Sequence, residues 1–500
     1  MKSIPYNTGF FASVTAVTTL LTTLAGSARA DVVTDWNLIT LNATKTAGLN
    51  SNLGSRIDAI EAVAVYDAVN SLRQYGKPYH YYAPSTGSAQ AAAAQAAHDV
   101  LLNYFPAQAT ALNAALTNSL AAITDGPVGN GQTVGAAAAA DIIALRANDG
   151  ASPNVNYPGP STIAPGVYQL TPNVPTVTTP PFTFGPGINQ QWGTVQPFVL
   201  ATTNQFRPGP PPALTSVDYT NALLQAQSLG SLTSGTRTAD QTHIAQFYKQ
   251  DAELTVNEAA RELALTHNPT LEEDALIFAL TDIAVADARI AVWDAKYTYL
   301  FWRPVTALNA SADGTVTNNY SAWQPLLADP SHPDYPSGHS GTVNAGFGVL
   351  RALFGDANTL LLHTTTGGEP ARLINSLSAG QAENGLSRIY GGIHFSFDNS
   401  AGQGIGNQVA AYVLANGPGI TISNTTSATS QLGIGSYPGI TVTGKVGQAY
   451  RIDYATQLAP TNWTTLKYVT LPTASPYLIL DNSPQSGSQP RFYRAVSVSN

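Results

Sequence analysis

Residues 271–304 read LEEDALIFALTDIAVADARIAVWDAKYTYLFWRP, and this stretch decides the fold class. It is rich in Ala, Leu and Ile, which predicts one long helix from about residue 271 to 301. Its C-terminal end places two cations, Lys296 and Arg303, in an aromatic-rich run. Because a separation of seven residues is close to two helical turns, we predict that both cations lie on one face and that Pro304 helps to end the helix. Cations among so many aromatic rings need an anion, from the protein or from a ligand.

Apolar residues at helical spacing also occur on both sides of this stretch. The predicted helices are 56–75, 88–104, 108–124, 131–148, 216–230, 238–265, 339–354, 371–385 and 399–414. Residues 149–212 are instead rich in Pro, Gly and Thr, which predicts a long ordered loop with Trp192 and Phe198 as buried anchors. Strand-like alternation is scarce, so the main domain, residues 31–416, is predicted to be mostly α.

The composition changes after Asn416. Residues 417–436 are rich in Gly, Ser, Thr and Pro, which is typical of a linker. Residues 437–500 contain short β-branched and aromatic runs, such as GITVTG and RFYRAVSV, separated by turn residues. They predict a small all-β sandwich that resembles the immunoglobulin- or fibronectin-like modules of many secreted bacterial proteins. The predicted fold class is therefore mainly α, a helical bundle followed by a small β-sandwich.

The first thirty residues resemble a secretory signal peptide. Lys2 precedes an apolar and Thr-rich run, and Ala28-Arg29-Ala30 offers a small-x-small cleavage site before Asp31. We therefore expect a secreted or periplasmic protein. No later stretch reaches the roughly 18 uninterrupted apolar residues of a membrane span, so no transmembrane segment is expected.

The composition of the 500-residue chain limits its chemistry and its partners. A net charge of −8 argues against nucleic acid or an anionic membrane as the main partner. Cysteine is absent, and the sole methionine, Met1, would leave with the signal peptide. Because thiols and thioethers are the side chains most readily oxidised, a sulfur-free chain suits a protein that produces an oxidant. A lineage that uses little sulfur in exported proteins explains the composition equally well.

The tetrapeptide PSGH, residues 336–339, predicts a turn into a helix that begins near His339. Backbone N–H groups at a helix N-terminus favour an anion, and Gly338 lets the backbone approach such a ligand closely. The Ser337 hydroxyl adds a donor. His339 is suited to acid–base chemistry near neutral pH.

A third segment, SRIYGGIH at residues 387–394, contributes Arg388 and His394. Six residues apart, they would not share one face of a continuous helix. Gly391 and Gly392 permit a bend that would turn both side chains towards one site. The alternative interpretation of His394 is a hydrogen-bonded core histidine.

The three segments match K-x6-RP, PSGH and SR-x5-H in that order and without substitution. This pattern resembles the signature of the superfamily that joins vanadium-dependent haloperoxidases with type-2 phosphatidic acid phosphatases and bacterial acid phosphatases. The resemblance covers about residues 271–410. The flanks FWRP and SRI-x-x-G-x-H-x-x-F-D look more like the haloperoxidase branch, as does the helical region ahead of the motifs, including AVYDAVN at 64–70.

The resemblance implies a vanadate cofactor and a role for each motif residue. His394 would bond to vanadium through a ring nitrogen, and His339 would act as the acid–base group. The residues that would bind the vanadate oxygens are Lys296, Arg303, Ser337, Gly338, His339 and Arg388. Hydrogen peroxide, a halide and small organic acceptors would be the partners in the reaction.

Trp293 and His332 correspond to pocket positions of the family. The position of His332 is histidine in bromide-preferring members and phenylalanine in a chloride-oxidising one, so the resemblance favours bromide or iodide. A plainer interpretation of His332 and the proline after it is a loop cap. The acidic residue that the resemblance leads us to expect beside Arg388 is not identifiable from the sequence.

We therefore predict a secreted vanadium-dependent haloperoxidase that oxidises halide with hydrogen peroxide to hypohalous acid. The alternative is an acid phosphatase, or a type-2 phosphatidic acid phosphatase-like enzyme, in which His394 attacks a phosphoryl group and His339 protonates the leaving oxygen. Vanadate and phosphate share shape and charge, so the anion cradle itself does not separate the two functions.

Two further classes of protein fit the sequence less well. A non-catalytic surface protein would have little reason to keep every motif residue. A zinc hydrolase is disfavoured because the eight histidines form no HExxH or other short-spaced ligand pair. Ordinary structural or surface positions are expected for His80, His98, His243, His267 and His363. Oligomeric state has no marker in the sequence.

Overall fold

The computed structural model describes residues 31–316, 318–420, 439–442, 449–455, 463–470, 477–480 and 492–497. The predicted signal peptide lies outside the described residues, as does most of the predicted linker. Residues 31–420 are mainly α-helical, as predicted. Among the described residues, no helix is both long and apolar enough to cross a lipid bilayer.

Thirteen α-helices lie within residues 31–420. They are α1 (Val32–Thr46), α2 (Ser51–Arg73), α3 (Ala89–Tyr104), α4 (Ala109–Ala121), α5 (Val128–Arg146), α6 (Val217–Leu229), α7 (Ala239–Phe247), α8 (Ala252–His267), α9 (Leu271–Tyr299), α10 (Pro304–Ala307), α11 (Gly338–Phe354), α12 (Leu377–Tyr390) and α13 (Ser396–Asn416). Most of the predicted helices are confirmed to within a few residues. The exceptions are α1 and α10, which were not predicted, and the segments described next.

Two predicted helices differ from the structure. The segment 238–265 is divided into α7 and α8 by a short turn. The helix predicted for 371–385 is wrong at both ends, because 372–374 form a strand and α12 runs from Leu377 to Tyr390. Ser376 fixes that start, since its hydroxyl accepts the N–H of Ala379 at 3.1 Å and so caps the first turn.

The helix α9 lies at the centre of the packing. It begins at a capping box in which the Thr270 hydroxyl accepts the N–H of Glu273 and the Glu273 carboxylate accepts the N–H of Thr270. Helices α2, α11 and α13 pack against α9, and α11 packs against α13. Gly341 and Gly406 make the close approach of α11 and α13 possible, because a Cβ atom at Gly406 would meet the Gly341 backbone.

The C-terminal end of α9 corrects one prediction. Leu300 adopts a left-handed conformation, with φ at +46°, and ends the helix before Arg303. Arg303 is instead the N-cap of α10, and Pro304 is the first residue of that short helix. The predictions that Lys296 and Arg303 share a helix face and that Pro304 ends their helix are therefore wrong. Proline suits the first helical position because it lacks the N–H that would have no partner there.

The predicted loop 149–212 follows an irregular path and packs against α9. Trp192 and Phe198 are buried, as predicted. The carboxylate of Asp287, in the middle of α9, accepts the backbone N–H groups of Phe198 and of the next two residues at 2.6–2.9 Å. These three hydrogen bonds fix the loop to the central helix.

Short antiparallel strands complete the described structure. Within the helical region, β1 (Gly76–Lys77) pairs with β4 (Gly419–Ile420), and β2 (Leu360–Leu362) pairs with β3 (Arg372–Ile374). In the C-terminal region, β5 (Gly439–Val442) pairs with β8 (Tyr477–Leu480), and β6 (Ala449–Ala455) pairs with both β7 (Thr464–Thr470) and β9 (Phe492–Ser497). These two small sheets agree with the β-rich composition, whereas a closed sandwich stays a prediction.

Candidate active site

The three motif segments meet in one pocket. Lys296 and His394 both contact Asp334 in the loop before α11, and Arg303 contacts the connection between α12 and α13; the site they form is called the pocket below. The rings of Trp293 and His332 lie 4.9 Å apart, and the Lys296 Nζ lies 5.8 Å from the Trp293 ring. Arg303 connects two of the segments, because it binds both His332 and the carbonyl of Ile393.

The ammonium group of Lys296 is fully buried in the wall of the pocket. It donates to the backbone carbonyls of Pro333 at 2.9 Å and Asp334 at 2.5 Å. Because an ammonium has three N–H donors, these two bonds leave one for a ligand. Burial, and next the charge of Arg303, hold the pKa of Lys296 well below its usual value.

Arg303 is fully buried and held on several sides. Its Nε donates to the carbonyl of His332 at 2.9 Å, and its Nη1 donates to the carbonyl of Ile393 at 2.7 Å. Two carboxylates flank the same Nη1, Asp334 at 3.4 Å and Asp329 at 3.8 Å. Position and charge of this guanidinium are therefore fixed before any ligand binds.

The PSGH turn places free donors at the N-terminus of α11. Ser337 is the N-cap, and its Oγ accepts from the N–H of Ser340 at 3.4 Å. The Ser340 hydroxyl lies 3.0 Å from Ser337 Oγ and donates its one hydrogen to the Asn399 amide oxygen at 2.8 Å, so the Ser337 hydroxyl is the donor to Ser340 Oγ. The backbone N–H groups of Gly338 and His339 donate to no other group in the described part of the chain. Such N–H groups at the positive end of a helix favour an anion.

A bend after α12 brings Arg388 and His394 to the same pocket. The helix ends at Tyr390, and Gly392 has a left-handed φ of +77° that lets the chain turn. Arg388 donates to the Ser387 hydroxyl at 3.0 Å and to the Tyr248 carbonyl at 2.7 Å. Its second terminal nitrogen, Nη1, has no partner among residues 31–420. Burial, and next Arg303, lower the pKa of Arg388 to about 9, so it remains charged at neutral pH.

His394 is buried and oriented by two carboxylates. Its Nδ1 lies 2.5 Å from Asp334 Oδ1 and 3.3 Å from Asp398 Oδ2. Asp398 is itself held by the N–H of Phe395, at 2.8 Å. A carboxylate that accepts a hydrogen bond from one ring nitrogen fixes the tautomer of the imidazole. The other ring nitrogen, here Nε2, is then available as a metal ligand. Nε2 makes no hydrogen bond to the described residues.

His339 is half-buried at the first turn of α11. Its Nε2 lies 3.0 Å from the carbonyl of Gln250, so this nitrogen carries the proton and donates it. Nδ1 is the nitrogen that remains to exchange a proton with a ligand in the pocket. Burial, followed by the positive charge of Arg388, holds the pKa of His339 well below its usual value.

The three histidines of the pocket are neutral near neutral pH. Burial is the largest cause for each of them, and the cations around the pocket lower their pKa values further. For His394 these cations are Arg303 and Lys296. A neutral imidazole can act as a metal ligand or as a base.

The carboxylates behind His394 form a buried pair. Burial, and next the neighbouring Asp398, raise the pKa of Asp334 well above its usual value. Burial raises the pKa of Asp398 to about 6. The ligand atoms of Asp334, His394 and Asp398 lie within 4.8 Å of one another. Since both carboxylates approach Nδ1, they serve to orient the imidazole while Nε2 faces away from them.

The two predicted halide-pocket residues stack at the edge of the site. Trp293 and His332 are tilted by 52°, and the Arg289 guanidinium lies 5.2 Å from the Trp293 ring. His332 Nδ1 lies 3.1 Å from Arg303 Nη2 and 3.1 Å from the Pro333 carbonyl. An arginine only donates and a carbonyl only accepts, so these two contacts require opposite protonation of Nδ1. The loop-cap alternative for His332 does not describe these contacts.

Sequence patterns missed several residues that shape the pocket. They are Tyr248, Gln250, Arg289, Asp329, Asp334 and Asp398. Asp334 and Asp398 had a usable signal, because each lies within four residues of a motif histidine or serine. The other four residues had no such signal in the sequence. The acidic residue expected beside Arg388 is not found: the carboxylates contact Arg303 and His394 instead.

The remaining histidines have the ordinary positions that were expected. His80, His98 and His363 pair with Asp141, Asp99 and Glu258, while His243 and His267 bind Arg372 and Asn358. None of these bonds reaches the pocket.

Comparison with known proteins agrees with this geometry. Residues 276–417, which include all three motifs, match the VCPO second helical-bundle domain, where VCPO denotes vanadium chloroperoxidase. Over these residues the chain is similar to the vanadium haloperoxidase family. A curated relative, the vanadium chloroperoxidase of Curvularia inaequalis, is 27% identical over 234 residues, a match that covers 38% of this chain and 37% of that protein.

Solved structures of vanadium haloperoxidases share the fold. A bacterial vanadium-dependent iodoperoxidase superimposes with a TM-score of 0.64 at 22% identity and covers 77% of this chain and 96% of its own. A holo-type bacterial vanadium-dependent chloroperoxidase superimposes with a TM-score of 0.62 at 16% identity, and the match covers 78% of this chain and 93% of that protein. The chain is therefore similar over most of its helical region to members of this family of enzymes.

Proposed function

We propose that this protein is an exported, vanadate-dependent haloperoxidase that oxidises a halide with hydrogen peroxide to hypohalous acid. The observation that carries the proposal is the arrangement at His394. Two carboxylates hold Nδ1, Nε2 is left as a ligand atom, and three buried cations surround the same pocket. This arrangement suits a tetrahedral metal oxoanion bound through one imidazole nitrogen.

The donors that the protein leaves unused fit such an oxoanion. Lys296 retains one N–H, and the Nη1 of Arg388 retains both of its hydrogens. Gly338 and His339 retain their backbone N–H groups. Because buried donors without partners are costly, a pocket with several of them is expected to hold an anion.

Residues of the chain would bind the cofactor and transfer protons. When bound, vanadate supplies a Lewis-acidic centre that activates peroxide without a change of oxidation state. His394 would hold it through Nε2, while Asp334 and Asp398 keep the imidazole in one tautomer. His339 would accept a proton from peroxide at Nδ1, since Nε2–H is bound to the Gln250 carbonyl. Lys296, Arg303 and Arg388 would stabilise negative charge on the oxygens.

We propose bromide or iodide as the halide. His332 lies at the pocket edge against Trp293, and its Nε2 makes no hydrogen bond to the described residues. This polar edge would bind a large, weakly hydrated anion. Bromide and iodide also lose electrons more readily than chloride, so they require a weaker oxidant. Hypohalous acid would then react with small organic acceptors outside the pocket.

Export is proposed from the N-terminal sequence. The signal-like residues 1–30 and the sulfur-free remainder of the chain both fit a protein that releases an oxidant outside the cytoplasm.

A direct assay tests the proposal. The protein is loaded with orthovanadate, and oxidation of bromide and of iodide by hydrogen peroxide is measured beside hydrolysis of p-nitrophenyl phosphate. We expect halide oxidation that is lost in His394→Ala and retained in His267→Ala, a matched change at an exposed histidine outside the pocket. Phosphate release without halide oxidation would instead establish the phosphatase alternative.

A further inference from the structure

The turn between α7 and α8 supplies two backbone acceptors to the pocket. The carbonyl of Tyr248 accepts from Nη2 of Arg388 at 2.7 Å, and the carbonyl of Gln250 lies 3.0 Å from Nε2 of His339. Arg388 and His339 belong to different helices, α12 and α11. One short segment, residues 248–250, therefore orients both a cation of the pocket and its proposed acid–base histidine.

The backbone of this turn makes few hydrogen bonds of its own. The Lys249 N–H donates to the Gln246 carbonyl at 3.3 Å, and the Gln250 N–H donates to no group in the described part of the chain. Helix α8 also begins without a side-chain cap from Asp251. The position of the Gln250 carbonyl therefore depends on other contacts.

The side chain of Gln250 supplies those contacts. It is 8% exposed, and its Oε1 accepts the N–H of Thr365 at 2.7 Å. Its Nε2 donates to the Thr255 hydroxyl oxygen at 3.0 Å and approaches the His363 carbonyl at 3.5 Å. Because a backbone N–H only donates and a carbonyl only accepts, these partners define which amide atom is the oxygen. The amide thus joins the turn to α8 and to the connection between β2 and β3.

A further hydrogen bond joins the same connection to the end of α7. The Thr364 hydroxyl donates to the carbonyl of Phe247, the last residue of that helix, at 2.8 Å. The connection between β2 and β3 therefore binds the turn at two points, Phe247 and Gln250. Loss of the Gln250 amide would leave buried polar groups without partners and would let the turn move.

We propose that Gln250 is a positioning residue for the reaction, because its amide fixes the turn whose carbonyls set the tautomer of His339 and the orientation of Arg388. The proposal rests on the proposed roles of these two residues in the pocket. While the Gln250 carbonyl accepts from Nε2–H of His339, Nδ1 keeps the lone pair that takes up a proton. A displaced carbonyl permits the other tautomer, in which Nδ1 carries the hydrogen and does not act as a base.

The tautomer of His339 tests the first effect without any turnover. Long-range ¹H–¹⁵N NMR of the vanadate-free protein, labelled with ¹⁵N-histidine, distinguishes the two tautomers, and His339→Gln identifies the His339 signals. We expect the wild-type ring to carry its hydrogen on Nε2 and Gln250→Met to give a mixture of both tautomers. Methionine has nearly the length of glutamine but makes neither bond of the amide. A wild-type ring with its hydrogen on Nδ1 would overturn the proposal.

Vanadate binding tests the effect on Arg388. Titration of the vanadate-free protein, followed by ⁵¹V NMR, should give an affinity about 3- to 10-fold lower in Gln250→Met. This loss is smaller than the roughly 10- to 100-fold effect of residues that contact a ligand side chain directly. The matched control is His363→Ala, which changes a 65% exposed side chain in the same connection and keeps its carbonyl. Both the tautomer and the vanadate affinity of this variant should equal those of the wild type.

Thr255→Val is the second test variant, for the case that Gln250→Met does not fold. It removes only the acceptor of the Gln250 Nε2, so it should change tautomer and affinity in the same direction but less, and unchanged values would then overturn the proposal. Lower thermal stability of Gln250→Met with a wild-type tautomer and vanadate affinity would show a purely structural role and would also overturn it. If the wild type binds vanadate but oxidises no halide, the proposed function fails, whereas the tautomer still decides the role of Gln250.

Discussion

The Nδ1 atom of His394 lies 2.5 Å from Oδ1 of Asp334, and the same oxygen lies 3.4 Å from Nη1 of Arg303. One carboxylate thus contacts both the imidazole that would bind the metal and a cation that would bind its oxygens. Both side chains are buried, so neither contact is weakened by solvent. Asp334 therefore couples the orientation of the ligand histidine to the position of Arg303.

Replacing Asp334 by Asn tests this coupling. Asn keeps the size of the side chain and can still accept the Nδ1 proton, but it cannot ionise beside Arg303. We expect vanadate to bind the apoprotein about 10- to 100-fold more weakly, as for other residues that orient metal ligands. Binding is measured by ⁵¹V NMR or calorimetry, with Asp313→Asn, an exposed carboxylate, as the control. Unchanged vanadate affinity would show that Asp398 alone orients the ring.

The guanidinium shape of Arg388 is the subject of a second prediction. Its Nε and Nη2 bind Ser387 and Tyr248, which leaves Nη1 for a ligand. Lysine cannot make these three contacts at once, so we expect Arg388→Lys to weaken vanadate binding about tenfold or more, although the charge is kept. Arg351→Lys, at a surface arginine paired with Asp356, should bind vanadate normally. Equal affinities in the two variants would mean that only the charge of Arg388 matters.

Local sequence patterns predicted the helices well because apolar spacing reports burial directly. The glycine bend after α12 was also predicted, because it depends on two neighbouring glycines in the sequence. The relative position of Lys296 and Arg303 was not predictable from the sequence. It depends on the left-handed conformation of Leu300, and leucine has no intrinsic preference for that conformation. Tertiary contacts of the loop with α9 and α10 determine that conformation.

The motif residues of the pocket were predicted, but their hydrogen-bond partners were not. Tyr248 and Gln250 act through backbone carbonyls, and any residue type presents the same carbonyl. Their positions depend on how α7 and α8 pack on α12 and α11. Backbone acceptors of this kind do not depend on the type of residue, so only the structure identifies them.

The bend at Gly392 permits a third prediction. This residue has a φ of +77°, and its Cα packs against the backbone of Gly230, where a Cβ atom would clash. We expect Gly392→Ala to destabilise the protein by at least about 1–2 kcal/mol, from the left-handed conformation alone, and to weaken vanadate binding by displacing His394 from Arg388. Thermal unfolding and vanadate titration measure the two effects.

Gly404 supplies the matched control for this change. It lies within α13, and no atom would lie within 4 Å of an added Cβ. Alanine favours helix over glycine, so Gly404→Ala should be neutral or stabilising by roughly 0.5–1 kcal/mol. If both variants unfold at the wild-type midpoint, the bend does not require glycine.

A buried group of four carboxyl groups lies between α2, α8 and α9. Its members are Asp58, Glu61, Glu253 and Asp282. Both oxygens of Asp58 lack hydrogen-bond partners among the described residues. Burial is the largest cause of the raised pKa of each group, and it raises the values to about 8 for Glu253 and about 7 for Asp282. Glu253 also lies 3.9 Å from Arg289, which connects this group to the edge of the pocket.

These carboxyl groups predict that the protein loses stability as the pH rises. In the unfolded chain they release their protons near pH 4, whereas in the folded protein they keep them to higher pH. The folded state therefore binds more protons than the unfolded state. The stabilisation from these protons is complete below about pH 4. It is lost as the pH rises through about 7 and 8, the folded pKa values of Asp282 and Glu253.

Asp58→Asn removes one such group without introducing a charge. Its unfolding midpoint should fall less between pH 6 and pH 9, and at pH 9 the variant should be more stable than the wild type by about 1 kcal/mol. Asp218→Asn, at an exposed acidic residue in the first turn of α6, should follow the wild-type curve, and a parallel decline in all three proteins would place the pH dependence outside this group.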